Sequence, residues 1–261
     1  MTLSGNAKQN RFNVDILREL KKYNRSFFSI SIFILFSLQI DSPVKKETWQ
    51  EVSEIKSFAN MSQTSKTFLA LGDSYTIGES VPGTENFPNQ TVALLRAKKI
   101  IIDDPDIIAR TGWTTTDLIN AIQVNPPQHV YSFVTLLIGV NNQYQGRTID
   151  QYKNEFTILL NSAIKFADNR KNNVYVLSIP DYSVTAFASK MDTQKIAKEL
   201  QLFNELNKTI ALEAGVNYID ITGISRSAVS DQSLIAEDGL HPSATQYKKW
   251  ANLLAERIIK N

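Results

Sequence analysis

Five short apolar runs alternate with long stretches of helical periodicity, and that alternation limits the architectures open to this chain. The runs are Phe68–Leu71, Asp106–Ala109, Val130–Ile138, Val174–Ile179 and Val216–Ile219. Unbroken apolar strands of this kind are buried on both faces, as in a parallel sheet. The helical stretches cover Asn89–Lys99, Ile149–Asn169, Lys190–Ala214 and Ala244–Ile259. Phe156, Leu159, Leu160, Ile164 and Phe166 mark the inner side of the second; Tyr247, Trp250, Leu253, Leu254 and Ile258 mark that of the last. Gly215 stops the third. Strand–helix alternation predicts βαβ units, a mainly parallel sheet and helices on both of its faces. Ligands bind such sheets beyond the C-terminal strand ends. The polar clusters GDS, RTG, GVNN and PDYS fall at four of those ends.

The 261 residues suffice for one sizeable domain and an extension, and no internal repeat is visible. Residues 27–38, FFSISIFILFSL, follow Lys21, Lys22 and Arg25. A basic segment before a short apolar run has the order of a secretory signal or a short signal-anchor. The run falls short of the roughly 20 residues that span a bilayer comfortably, and no clean small-x-small cleavage site follows it. Residues 1–41 are therefore read as a signal or membrane-anchor segment, with export or membrane association through residues 27–38. The competing reading is a hydrophobic arm or buried strand in a cytoplasmic protein. Residues 42–66, rich in Ser, Lys and Glu, read as a polar linker, and residues 67–261 as the functional domain.

Composition removes several kinds of chemistry. Beyond residue 41 the chain carries 22 basic and 23 acidic residues, so no bulk field draws it to nucleic acid. Cysteine is absent, which excludes thiolate nucleophiles and Cys-ligated zinc. Only His129 and His241 are present, too few for a multi-histidine metal centre. Neither kind of metal centre is expected. A nucleotide or flavin binder would share the layer architecture, but neither G-x-G-x-x-G nor a Walker loop occurs.

Ser74, in LGDSYTIG, follows the first strand directly. A serine at such a corner has its hydroxyl over the sheet edge beside exposed backbone N–H groups, and it suits a nucleophile. It equally suits a helix cap. Gly72 admits the tight turn, and Asp73 is suited to brace it. His241, in EDGLHPSATQY, is the imidazole able to serve as base, with Asp238 three residues upstream to orient it. The plainer reading makes them a local pair opening the last helix. Gly112, in RTGWTT, and Asn141, in GVNN, offer an N–H and an amide that would join the Ser74 N–H in an oxyanion hole; both residues also suit plain turns. Asn142 reads as an internal brace. His129, at the opposite end of the third strand, reads as structural. Tyr182, Val184 and Phe187, after the fourth strand, suit an acyl chain; Trp113 and Tyr144 suit sugar stacking as well.

Taken together, GDSY at 72–75, RTGWTT at 110–115, GVNN at 139–142 and DGLHP at 238–242 resemble the four blocks of the SGNH/GDSL hydrolase family, over about residues 67–259. The resemblance implies a flavodoxin-like three-layer α/β/α sandwich with a five-stranded, mainly parallel sheet. It implies an acyl-enzyme at Ser74 formed without metal or organic cofactor, His241 as general base and acid, Asp238 as its orienter, and Ser74, Gly112 and Asn141 as oxyanion donors. Substrates would be small-molecule, lipid or glycan esters, with lysophospholipid acyl esters and carbohydrate O-acetyl esters as the two candidates. A binding module that keeps the fold without catalysis is the remaining possibility. One position departs from the pattern: the third block usually reads G-x-N-D, and this chain has Asn142 in the last place.

Overall fold

The computed structural model describes residues 64–261. The segment read as a signal or anchor, residues 1–41, and residues 42–63 of the linker lie outside the described residues. At the end of that linker, Lys66 is already tied to the sheet edge. Its N–H donates to the Ile101 carbonyl at 2.9 Å, and its own carbonyl accepts from Asp103 N–H at 3.0 Å.

The strands β1 (Phe68–Gly72), β2 (Asp106–Ala109), β3 (Phe133–Leu137), β4 (Val174–Leu177) and β5 (Asn217–Ile219) form one sheet. Their order is β2-β1-β3-β4-β5 and every pair is parallel. The helices are α1 (Ser74–Ile77), α2 (Phe87–Ala97), α3 (Thr115–Val124), α4 (Val140–Tyr144), α5 (Ile149–Phe166), α6 (Thr193–Ala214), α7 (Thr222–Arg226) and α8 (Ala244–Lys260). From β1 the chain steps outward to β2, then crosses back to β3 and continues to β4 and β5. Crossovers of one hand therefore place α2 on one face and α3, α5 and α6 on the other. α8 returns along α2, while α3, α5 and α6 pack side by side. The result is the three-layer α/β/α sandwich. The direction of winding reverses between β1 and β3, so the crevice of a doubly wound sheet opens at their C-terminal ends.

Burial follows sheet position. Every residue of β1 and β3 is buried, whereas edge strands β2 and β5 are largely half-buried. Phe68 pairs with Phe133 across the ladder, their rings 4.6 Å apart. Gly72 closes β1 because nothing larger fits: a Cβ there would lie 2.0 Å from Thr76 Oγ1 and 2.5 Å from the Leu137 carbonyl. Beneath the sheet end, Trp250 of α8 packs on Phe87 of α2, on Tyr247 and on Tyr75 of α1, with ring centroids 5.1–6.3 Å apart. Aromatic pairs of this kind contribute about 0.5–1.5 kcal/mol each beyond their buried area.

Several boundaries differ from the sequence reading, each for a local reason. α2 starts at Phe87, because the Asn86 side chain caps it by accepting from Asn89 N–H and Pro88 sits in the first turn, where its missing N–H costs nothing. β3 starts at Phe133, and Val130 is exposed. α6 starts at Thr193, since Asp192 caps it, and Lys190 ends a separate 3₁₀ turn, Ala186–Lys190. The sequence reading contains no helix at α3. That helix opens with a reciprocal cap between Thr114 and Asp117, a T-x-x-D pattern visible in the sequence. Among the described residues no helix is long and apolar enough to cross a membrane.

Candidate active site

The crevice at the β1/β3 switch point is a pocket of about 160 Å³, lined by Ser74, Gly112, Asn141 and His241 together with Tyr144, Tyr182, Phe187 and Leu240. Three of the polar members arrive from different strand ends, and the fourth from the loop before the last helix. Ser74 opens α1 after β1; Gly112 lies in the turn after β2; Asn141 lies on α4 after β3; His241 precedes α8.

The Asp73 side chain caps α1 by accepting from Tyr75 N–H at 3.0 Å. Its other oxygen is buried with no partner. Burial pushes this carboxyl up to about 7, against the hydrogen bonds that favour its ionised form. Asp73 thus holds the Ser74 turn from within and lies outside the pocket lining. Ser74 N–H and Gly112 N–H are engaged by no acceptor among the described residues, which leaves both available to a ligand. Gly112 has φ +83°, a left-handed conformation that L side chains avoid, and the space where its Cβ would sit is open. Asn141 Nδ2 donates to the Trp113 carbonyl at 2.9 Å. That bond fixes the amide plane and uses one of its two hydrogens.

Asn142 is fully buried and does not face the pocket. It accepts from Thr115 N–H at 3.0 Å and donates to Thr115 Oγ1 at 2.6 Å. Thr115 Oγ1 passes its own hydrogen to Glu155, which also accepts from Thr116 and Gln151. Burial opposes ionisation of Glu155, but these donors and Arg147 outweigh it and hold the carboxyl below its usual range. In the family pattern a carboxylate stands at residue 142; here the carboxylate is one hydroxyl further out.

Asp238 and His241 are joined at 2.5 Å between Oδ2 and Nδ1. Asp238 Oδ1 accepts from the N–H groups of Leu240 and His241, both at 2.9 Å. Ser80 donates to Oδ2 at 2.6 Å. Desolvation raises the carboxyl, yet the donations from Ser80, His241 and the two amides prevail and hold it well below the ordinary carboxylate range. Asp238 is therefore a fixed anion against the ring. Tyr75 meets the His241 ring edge-on at 5.7 Å, so the aromatic cluster of α8 supports the imidazole from below. His241 and Ser74 both line the pocket, with no hydrogen bond between their side chains, and such bonds often tighten only when a ligand binds.

The aromatic wall consists of Tyr144, Tyr182 and Phe187, with ring centroids 6.1–6.3 Å apart. The Tyr182 hydroxyl is already committed to Gln143 Oε1 at 2.9 Å. Phe187 N–H donates to the Gly239 carbonyl, which ties this wall to the histidine loop. Trp113, expected in the pocket, does not line it; it packs partly buried against the core, and its carbonyl rather than its ring serves the site. Val184 is likewise outside the lining. His129 stands at the opposite end of the sheet, 3.7 Å from Asp106 and stacked near Tyr131. The described residues contain no cluster of three or more His, Asp or Glu placed to hold a metal. Sequence reasoning missed Ser80, Thr115 and Glu155, since their roles are set by contacts with distant loops.

Solved structures share this fold. A lipolytic G-D-S-L family protein from Veillonella parvula aligns over 74% of this chain and 96% of its own, at 20% identity and TM-score 0.53. The acetylxylan esterase Axe2 from Geobacillus stearothermophilus aligns over 75% and 95%, at 18% identity and TM-score 0.57. A psychrotrophic esterase from Pseudoalteromonas sp. aligns over 75% and 97%, at 16% identity and TM-score 0.52. No curated protein sequence matches the chain. Fold, pocket and family pattern define the class, an ester hydrolase on an α/β/α sandwich. The chain belongs to the GDSL-like Lipase/Acylhydrolase family, which matches residues 70–249.

Proposed function

We propose that the chain cleaves carboxylic esters through an acyl-enzyme on Ser74. The observation that carries this reading is the convergence of Ser74, Gly112, Asn141 and His241 in one pocket, with Asp238 fixed behind the imidazole. His241 takes the Ser74 proton as Oγ attacks the ester carbonyl, then gives it to the leaving alcohol. The imidazolium that forms is stabilised by ionised Asp238. The oxyanion is held by Ser74 N–H, Gly112 N–H and the Asn141 amide hydrogen that Trp113 leaves free. Water activated by His241 then releases the acid. No step calls for a metal or cofactor.

For the acyl group we propose a short to medium apolar chain. A 150 Å³ apolar cavity holds a benzene-sized guest, so a pocket of about 160 Å³ admits on the order of six carbons. The Tyr182 hydroxyl is spent internally and Phe187 has none, which leaves Tyr144 as the wall's one hydroxyl without an internal partner. A lipid acyl ester fits that wall better than a carbohydrate O-acetyl ester, although the Geobacillus relative is an acetylxylan esterase. Export or membrane tethering through residues 27–38 remains part of the proposal and would bring the enzyme to such lipids.

The test is hydrolysis of p-nitrophenyl esters, acetyl through palmitoyl, by the full chain and its Ser74→Ala variant. The expected result is turnover that Ser74→Ala abolishes, with an optimum between butanoyl and octanoyl. An acetyl optimum would favour a carbohydrate deacetylase. Undiminished turnover in the variant would sink the scheme, and failure of Ser74 to react with a fluorophosphonate would identify a silent binding module.

A further inference from the structure

Ser80 lies two residues beyond the Gly78 that ends α1, and the function above gives it no role. Its φ is +67°, a left-handed conformation uncommon for a residue with a side chain. Strain of this kind persists where surrounding structure imposes it. Here its hydroxyl donates to Asp238 Oδ2 at 2.6 Å, across 158 residues of sequence. The same oxygen meets His241 Nδ1.

The donors to Asp238 divide into two kinds. The Leu240 and His241 N–H groups and the His241 ring belong to the carboxylate's own loop. They make Asp238 and His241 one unit but do not locate that unit relative to the nucleophile. Ser80 comes from outside the loop, and its turn is anchored on Ser74: Gly78 N–H and Glu79 N–H both donate to the Ser74 carbonyl, at 3.0 and 3.1 Å. The neighbouring Glu79 accepts from Thr111 Oγ1, beside Gly112. The Gly78–Ser80 turn therefore joins the nucleophile segment to the histidine loop and to the oxyanion loop.

We propose that Ser80 is a positioning residue that sets the Asp238–His241 unit against Ser74, its left-handed backbone being retained because it aims the hydroxyl at Oδ2. The proposal rests on the reading of Ser74 as nucleophile and His241 as base. It acts on attack by Ser74 and leaves the acyl pocket untouched.

Two variants of the full chain separate the hydroxyl from the backbone. Ser80→Gly removes the hydroxyl and relieves the strained φ; Ser80→Ala removes the hydroxyl and keeps the strain. The readouts are the rate at which a fluorophosphonate labels Ser74, the melting temperature, and the low-field proton resonance of the His241 Nδ1–H. In both variants labelling should slow about tenfold and the resonance should move or broaden. The melting temperature of Ser80→Gly should equal or exceed that of the parent, and that of Ser80→Ala should lie below it. For p-nitrophenyl esters kcat should fall with KM unchanged. Parent-like labelling and an unmoved resonance in Ser80→Gly would overturn the proposal. Failure of the parent itself to label, with Ser74→Ala as control, would instead overturn the underlying nucleophile reading.

Discussion

Restoring the family's usual carboxylate by Asn142→Asp should destabilise this protein, although the side chains are nearly the same size. Asn142 is fully buried and uses both ends of its amide on Thr115. The acceptor bond to Thr115 N–H would survive the change. The donor bond to Thr115 Oγ1 would not. Thr115 has one hydroxyl hydrogen, already given to Glu155, so two carboxylates would compete for it. Losing the partner of a buried polar group costs about 1–3 kcal/mol, and an uncompensated charge raises the expected total to about 3–5 kcal/mol at pH 8. The introduced carboxyl would titrate in the folded state above the roughly 3.9 of an unfolded aspartate. Its penalty therefore grows as pH rises above that value and shrinks as pH falls. Urea unfolding at pH 8 and pH 5 reads both effects. Adding Glu155→Gln should recover part of the loss at pH 8, because one of the competing charges is gone. Equal stability of Asn142→Asp and parent at both pH values would refute the argument that Thr115 couples residues 142 and 155.

Two further substitutions test the site. Gly112→Ala meets no clash but must hold a left-handed conformation that costs about 1–2 kcal/mol; relaxation would turn its N–H away, and kcat on p-nitrophenyl esters should fall by about 10²-fold or more, with full activity counting against an oxyanion role. Asp73→Asn keeps the acceptor for Tyr75 N–H while removing an ionisation that burial opposes. Because the folded carboxyl titrates near 7 and the unfolded one near 3.9, its cost to the parent appears above pH 3.9 and levels off above pH 7. The melting temperature of Asp73→Asn relative to parent should therefore climb between pH 4 and pH 7, and a gap independent of pH would sink this account.

What the sequence determined by itself was the architecture and the identity of the pocket's polar groups. Strand and helix periods follow from local burial, so the runs at Phe68–Leu71 and Asp106–Ala109 could be read directly. Ser74, Gly112, Asn141, Asp238 and His241 were legible because each sits in a short block at a strand end or helix start, where geometry is nearly local. The Asp238–His241 contact in particular needs only three residues of loop. The tertiary structure decided what depends on packing between distant segments. It removed Trp113 from the pocket by burying part of its ring and using its carbonyl on Asn141. It spent the Tyr182 hydroxyl on Gln143, which made an amphipathic side chain into an apolar wall. It also placed Ser80 on Asp238 and Glu155 behind Asn142 through Thr115. Those contacts span 27 to 158 residues of sequence. A hydrogen bond over such a separation has no periodic or compositional signature, because it exists only after the sheet has brought its strand ends together.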